Sequence, residues 1–376
     1  MYKKQNRKQS TLGWNKSRLI SLIINRKQRM CGLRFGILAS ALLVFLTYMY
    51  LYYTNIYPHE WRPEIRELDQ ENKLHVRCDP LDKSKQCVTI VTAFFSAGKS
   101  KHSLDEYKSW MKNFFDQVES PVVVFTQPSM RETMEKMRVG KPIHFLIYDE
   151  IWDLPWLNEP HFLYKDYHEI NKLDPERAYH SPELYANWNS KPWMLKTVTE
   201  INPFNSTYFY WMDIGSVRNP KTKLNKFLNV DRAIEVFGRN ERSENYHKLN
   251  VFSVANLDDL NLFRDAKTLE EMPNTSFLIG GFFGGTIYSI YWFNDTFYKL
   301  HNDWLSDGIF VGKDQVLYNW IAIRNPQRYR VVCSCEQVPW TCDDIWFYFQ
   351  AWYSGKSSAC STASVKNMVE FLFRLR

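Results

Sequence analysis

A chain of 376 residues, 45% of them apolar and 24% charged, has room for one large domain and appendages, at roughly 100–200 residues per domain. Its net charge of +7 does not indicate nucleic-acid binding: residues 1–34 hold ten Lys or Arg and no acid, and subtracting those ten leaves −3 for the rest. A basic face on the folded part, which such binding needs, is therefore not expected.

The basic tail, 1–34, runs into Phe35 to Ile56, a segment without a charge. Its length matches the roughly 20 residues that a bilayer core requires. Tyr48, Tyr50, Tyr52, Tyr53 and Tyr57 form an aromatic belt at its far end, where a helix meets the headgroups. Beyond it Glu60, Glu64, Glu67 and Asp69 mix with Arg62 and Arg66. The positive-inside rule then leaves the N-terminus in the cytosol and everything after residue 56 in the lumen. No small-x-small cleavage site follows the span, so a retained signal anchor is expected rather than a cleaved peptide. The sequence thus predicts a single-pass type II membrane protein of the Golgi or endoplasmic reticulum. It has a stem over 57–86 and a lumenal domain over 87–376.

Cys31 lies on the cytosolic side, and Cys78, Cys87, Cys333, Cys335, Cys342 and Cys360 lie beyond the span. An even number in an oxidising lumen suggests disulfides, and proximity suggests a local Cys78–Cys87 bridge. A zinc site is disfavoured, because there is no CxxC pair and no His after His301. Asn205, Asn274 and Asn294 open N-x-Ser/Thr sequons and are the expected glycan sites.

The lumenal domain opens with a predicted strand, Val88 to Phe95. Ser103 and Glu106 form a capping box before a helix whose Leu104, Tyr107, Trp110, Met111, Phe114 and Phe115 recur at three and four residues. A second strand, Pro121 to Gln127, is nearly all apolar and so buried on both faces. Ser129 and Glu132 suggest another capping box, and Ile143 to Tyr148 a third strand. This alternation predicts βαβ units and a mostly parallel sheet flanked by helices. A helix from Trp193 to Ile201 and a strand from Tyr208 to Met212 follow. Then come the segment Phe277 to Phe283, helices over about 287–304 and 313–323, and a strand from Tyr329 to Cys333.

Ligands of such sheets bind outside the carboxyl ends of the strands, which directs attention to three places. Asp213 directly follows an apolar strand; its carboxylate suits a divalent cation, Mn or Mg, that neutralises a diphosphate, or it is only a turn former. Gly280, Gly281, Gly284 and Gly285 flank two aromatics and either let backbone approach a ligand or mark a tight strand exit. Asp314 and Gln315 open a helix; Asp314 either caps it or faces an acceptor hydroxyl or donor sugar. The aromatic run from Trp340 to Tyr353 reads as core or as a sugar platform. Walker, G-x-G-x-x-G, G-x-S-x-G and H-E-x-x-H patterns are absent.

Taken in order, Thr92 to Phe95 (TAFF), Tyr107 with Trp110, Val124 to Thr126, Lys191 to Lys196 (KPWMLK), Tyr210 to Gly215 (YWMDIG), Gly280 to Gly285 and Lys313 to Gln315 resemble the HtrL/YibB family, known from bacterial lipopolysaccharide-core loci and multicellular animals. The resemblance covers about 87–332. It implies a GT-A-like fold and a glycosyltransferase role. Asp314 and Gln315, with Leu317 and Asn319, also look like the Asp-Gln segment beside the donor sugar in glycogenin-type transferases. Two departures stand out: Ser96 occupies a position that is commonly acidic, and the D-x-D pair is here Asp213 and Gly215.

The expected function is transfer of a sugar from a nucleotide-sugar donor to a glycan or glycoconjugate acceptor. Asp213 and Asp314 would be the catalytic carboxylates, with Asp213 on the cation. Ser96, Lys99, Lys196, the four glycines and Gln315 would bind the donor. The rival expectations are a catalytically inactive lumenal glycan-binding or chaperone-like protein on the same scaffold, and a membrane-tethered structural protein.

Overall fold

The computed structural model describes Cys78 and residues 86–373, apart from 97–98, 100, 159–163, 225, 256, 274–275, 334–344 and 355–364. The predicted tail, membrane span and nearly all of the stem fall outside these residues, as do Cys335, Cys342, Cys360 and Asn274. No helix of the described residues is long and apolar enough to cross a membrane. A disulfide joins Cys78 to Cys87, with the Cα atoms 5.5 Å apart.

The first part of the domain alternates as predicted: β1 (Val88–Phe94), α1 (Leu104–Gln117), β2 (Val122–Thr126), α2 (Pro128–Met137) and β3 (Ile143–Ile147). Three helices, α3 (Tyr164–Asn171), α4 (Pro182–Asn189) and α5 (Lys191–Ile201), lead to β4 (Tyr208–Met212). Then come α6 (Val230–Phe237), β5 (Leu249–Ser253), α7 (Leu257–Asp265), β6 (Phe282–Gly285), α8 (Ile287–Ser306) and α9 (Asp314–Arg324). The described chain closes with β7 (Tyr329–Cys333), α10 (Tyr348–Tyr353), β8 (Val365–Asn367) and α11 (Met368–Phe373).

The strands form one mixed eight-stranded sheet in the order β3-β2-β1-β4-β6-β5-β7-β8. β3, β2, β1 and β4 are mutually parallel, while β6 runs antiparallel between β4 and β5. Alternation along each strand sorts side chains to two faces. Val91 and Ala93 of β1 join Phe209 and Trp211 of β4 in a core with Leu195 and Val198 of α5, Phe293 of α8 and Leu317 of α9. Val88, Ile90, Tyr208, Tyr210 and Met212 face the other side, with Met111, Phe114 and Phe115 of α1, Phe237 of α6 and Tyr353 of α10. Burial on both faces is why these strands read as unbroken apolar runs.

Two expectations are corrected. The Ser103–Glu106 capping box is present, but the Ser129–Glu132 box is not: α2 begins at Pro128, capped by Gln127 without a side-chain bond. Pro fits the first helical turn, where its missing N–H is no loss, and this puts Ser129 inside the helix. Within the segment Phe277 to Phe283, only a single bridge links Leu278 to Ser253, and β6 starts at Phe282. Asn294 lies within α8 and is only 8% exposed, so the folded domain has no room for a glycan there. Asn205, in contrast, is exposed.

Candidate active site

β1 pairs with β2 on one side and with β4 on the other, all parallel. The chain therefore leaves these neighbouring strands in opposite directions, and their carboxyl ends bound a crevice of the kind where open sheets bind ligands. Asp213 follows β4 at this edge. Because β6 is antiparallel to β4, its start lies at the same edge: Met212 pairs with Phe282, and the Asp213 N–H donates to the Gly281 carbonyl at 2.9 Å. A Cβ on Gly281 would sit 2.9 Å from Asp213 Oδ2. One on Gly280 would meet Gln315 Cγ at 2.8 Å and Asp314 Oδ1 at 3.3 Å. Both glycines thus leave space that the Asp213, Gln315 and Asp314 side chains occupy.

α9 brings Asp314 and Gln315 to the same place. Gln315 Nε2 donates to the Leu278 carbonyl at 3.1 Å, and Asn319 Oδ1 accepts from the Leu278 N–H at 3.1 Å. These bonds tie the helix to the segment before Gly280. Asp314 does not cap α9, whose N-cap residue is Lys313. Its carboxylate turns instead to Lys191, the first residue of α5.

Lys191 Nζ lies 2.9 Å from Asp314 Oδ2 and 3.3 Å from Asp213 Oδ1, and it donates to the Gly280 carbonyl at 3.1 Å. The Lys191 and Asp314 side chains are only 5% and 6% exposed, and that of Asp213 is 42% exposed. The Trp211 indole N–H fixes Asp213 Oδ1 at 2.7 Å. Burial lowers the Lys191 pKa, but the two carboxylates outweigh it and hold the ammonium above the ordinary lysine value. Burial pushes the Asp314 carboxyl up, and Lys191 reverses this only in part, so it stands above the usual carboxylate range. Asp314 Oδ2 is itself closed off from solvent, and its close neighbour is the Lys191 ammonium.

These groups line a cavity of about 510 Å³ with Lys101, Glu176, His180, Trp188, Arg218, Lys313 and Trp346. It continues into a second cavity of about 230 Å³, lined by Phe94, Ser96, Tyr107, Trp110 and Arg218. Glu176 is ion-paired to both Lys101 and Lys313, whose hydrogen bonds hold its carboxyl down at about 2. Arg218 lies 4.6 Å over the Trp110 ring and 5.4 Å over that of Phe347.

The remaining predicted residues divide. Ser96 lines the smaller cavity, its N–H donating to Gln127 Oε1 at 2.9 Å. Lys99 is exposed and lines neither cavity. Lys196 points elsewhere, pairing with Glu200 at 2.6 Å and lying 4.8 Å over Tyr291. Gly284 and Gly285 are strand positions rather than cleft lining. A Cβ on Gly284 would meet the Phe209 carbonyl oxygen at 2.4 Å, and one on Gly285 would meet Ser289 Oγ at 2.0 Å. Gly215 stands where a second carboxylate would be, and its Cβ would already touch Trp110 at 3.2 Å.

The cation expected at Asp213 meets an incomplete ligand set. Among the described residues no group of three or more His, Cys, Asp or Glu could hold a metal. Asp213 and Asp314 are bridged by an ammonium, which repels a second cation at this distance. The residues do not fit a divalent cation held by the protein alone.

Sequence reading missed Lys191 as an individual residue, together with His180, Glu176 and Arg218. Lys191 opens the KPWMLK segment without standing out within it, the other three stand in no motif, and only the fold brings the four to one cleft.

Residues 86–337 match the family model described as "Bacterial protein of unknown function (HtrL_YibB)". The chain is also 24% identical over 170 residues to Protein HtrL of Escherichia coli (strain K12), an overlap covering 41% of this chain. The chain spans 56% of that relative's length. With the family model matching well over half of its residues, the chain belongs to the HtrL/YibB family.

Proposed function

We propose that the domain is a GT-A-like glycosyltransferase that moves a sugar from a nucleotide-sugar donor to a glycan or glycoconjugate acceptor. The observation that carries this reading is the convergence of Asp213, Asp314, Gln315, Gly280 and Gly281 on Lys191 in one cavity at the strand ends. Four elements distant in sequence place their polar groups in a single cleft. Such a cleft with perturbed titrating groups is the default site of an enzyme.

The smaller cavity, with Tyr107 and Trp110, suits the nucleoside. The diphosphate then lies against Arg218, Lys101, Lys191 and Lys313, so its charge is met by side chains. The sugar sits over Gly280 and Gly281, beside the Asp314 carboxylate. Asp213 holds Lys191 toward the phosphate. The uncharged segment 35–56 and its basic flank support a single-pass type II anchor in the Golgi or endoplasmic reticulum. The Cys78–Cys87 bridge agrees with an oxidising lumen.

One observation favours the rival reading, a non-catalytic glycan-binding or chaperone-like protein: both carboxylates of the site are already paired with Lys191. Transfer and donor-hydrolysis assays separate the two. Asp213→Asn keeps the side-chain shape but loosens Lys191. It should cut turnover on the order of 10²–10³-fold, the usual effect of removing one preorganised group, with circular dichroism unchanged. Asp314→Asn should also cut turnover while sparing nucleotide binding more. Wild-type turnover in folded Asp213→Asn would end the catalytic reading and leave the binding protein.

A further inference from the structure

The larger cavity is also lined by the turn over 172–181, which carries a second buried charge cluster. Asp174 is 2% exposed and accepts from the Tyr185 hydroxyl at 2.7 Å and from the Glu176 N–H at 2.8 Å. Its Oδ2 also lies 2.8 Å from His180 Nδ1. Burial pushes this carboxyl up, but the Tyr185, Glu176 and His180 hydrogen bonds outweigh it and hold it below the ordinary aspartate value. Asp174 is therefore ionised and can only accept, so His180 Nδ1 must be the donor. In the neutral imidazole the lone pair is then on Nε2.

His180 is itself 6% exposed and lines the cavity shared with Lys191, Asp213 and Asp314. Among the described residues no hydrogen bond reaches its Nε2. Trp188 packs edge-on against the ring, with centroids 5.1 Å apart, and fixes its plane. The other deeply buried histidine shows what a structural role looks like: both ring nitrogens of His301 are engaged, by Tyr167 and by Asn302.

We propose that His180 is the general base that takes the proton of the acceptor hydroxyl, and that Asp174 is its positioning residue. This rests on the transferase reading and assigns a step which that reading leaves open. The acceptor O–H proton passes to Nε2 as the acceptor oxygen bonds to the anomeric carbon. The bond from that carbon to the diphosphate oxygen breaks, and its electron pair leaves with the nucleoside diphosphate. The imidazolium that forms is stabilised by Asp174. Asp314 is the weaker candidate, because its carboxylate is buried against Lys191. Orientation of a base by a buried carboxylate is a recurring arrangement in nucleophile activation.

The experiment uses the full-length protein and measures donor binding and transfer separately. Folded His180→Gln should bind the nucleotide sugar with wild-type affinity and transfer it on the order of 10²–10⁴-fold more slowly, the range for loss of a positioned base. Imidazole in solution should restore part of the rate to His180→Gly. Asp174→Asn should slow transfer in the wild-type background but add little to His180→Gln, since the two residues act as a unit. Wild-type kcat in folded His180→Gln, or absence of imidazole rescue, overturns the assignment while leaving the transferase reading intact. Failure of wild-type protein to bind any nucleotide sugar overturns both.

Discussion

Lys191 starts a helix, where the positive end of the backbone dipole disfavours an ammonium by about 0.3–1 kcal/mol, and its side chain is 5% exposed. Both penalties are offset by Asp314 and Asp213. Lys191→Met would leave the Asp314 carboxylate buried without a countercharge, a change that costs about 3–5 kcal/mol. Urea denaturation should show a loss of that size, and Lys191→Met with Asp314→Asn should lose less than the sum of the single losses. Strict additivity would mean that the pair is not coupled. Asp213 was legible because an acid after an apolar strand can only lie at the sheet edge, and Asp314 because it stands in a short motif. Lys191 was not, since a lysine before proline reads as an exposed helix start. Lys196 was chosen in the same segment, but five residues turn a helix by about 140° relative to Lys191, which carries it away from the cleft.

Among the elements, α8 shows how a helix can combine legible and illegible features. Its length and apolar periodicity were readable, yet Asn294 was taken for a surface sequon and His301 was passed over. His301 lies fully buried against Tyr167, Trp156 and Phe297, and burial lowers its pKa to about 4. The native state therefore resists a proton that the unfolded chain accepts near 6.5. Stability is unaffected by this group above pH 6.5 and falls as pH drops from 6.5 toward 4, by on the order of 3 kcal/mol over the whole window. Denaturation midpoints of wild type and His301→Gln between pH 7 and 5 should show a flatter profile for the variant, whose side chain does not titrate there. Parallel profiles would show that His301 does not contribute. β6 gives a complementary lesson. The glycines before and within it were visible, but a cluster of glycines does not say which of them faces a ligand. Gly280 and Gly281 face the carboxylates, whereas Gly284 and Gly285 admit a neighbouring carbonyl and hydroxyl.

At the scale of the molecule, the alternation of strands and helices through β3 was readable because βαβ units are local. The order of the sheet was not, since β6 enters between β4 and β5 by contacts far apart in sequence. That insertion puts Gly281 beside Asp213 and so completes the cleft. A transferase site in this cleft must bind a nucleotide sugar. Thermal unfolding of the full-length protein, with a panel of nucleotide sugars and with either chelator or Mn²⁺ present, tests this directly. One donor should stabilise the wild type under both conditions, by about 2.7 kcal/mol at a hundred times its Kd, and Asp213→Asn should lose most of the effect. Absence of stabilisation by every donor, or an undiminished effect in Asp213→Asn, would rule out a nucleotide-sugar site at this cleft.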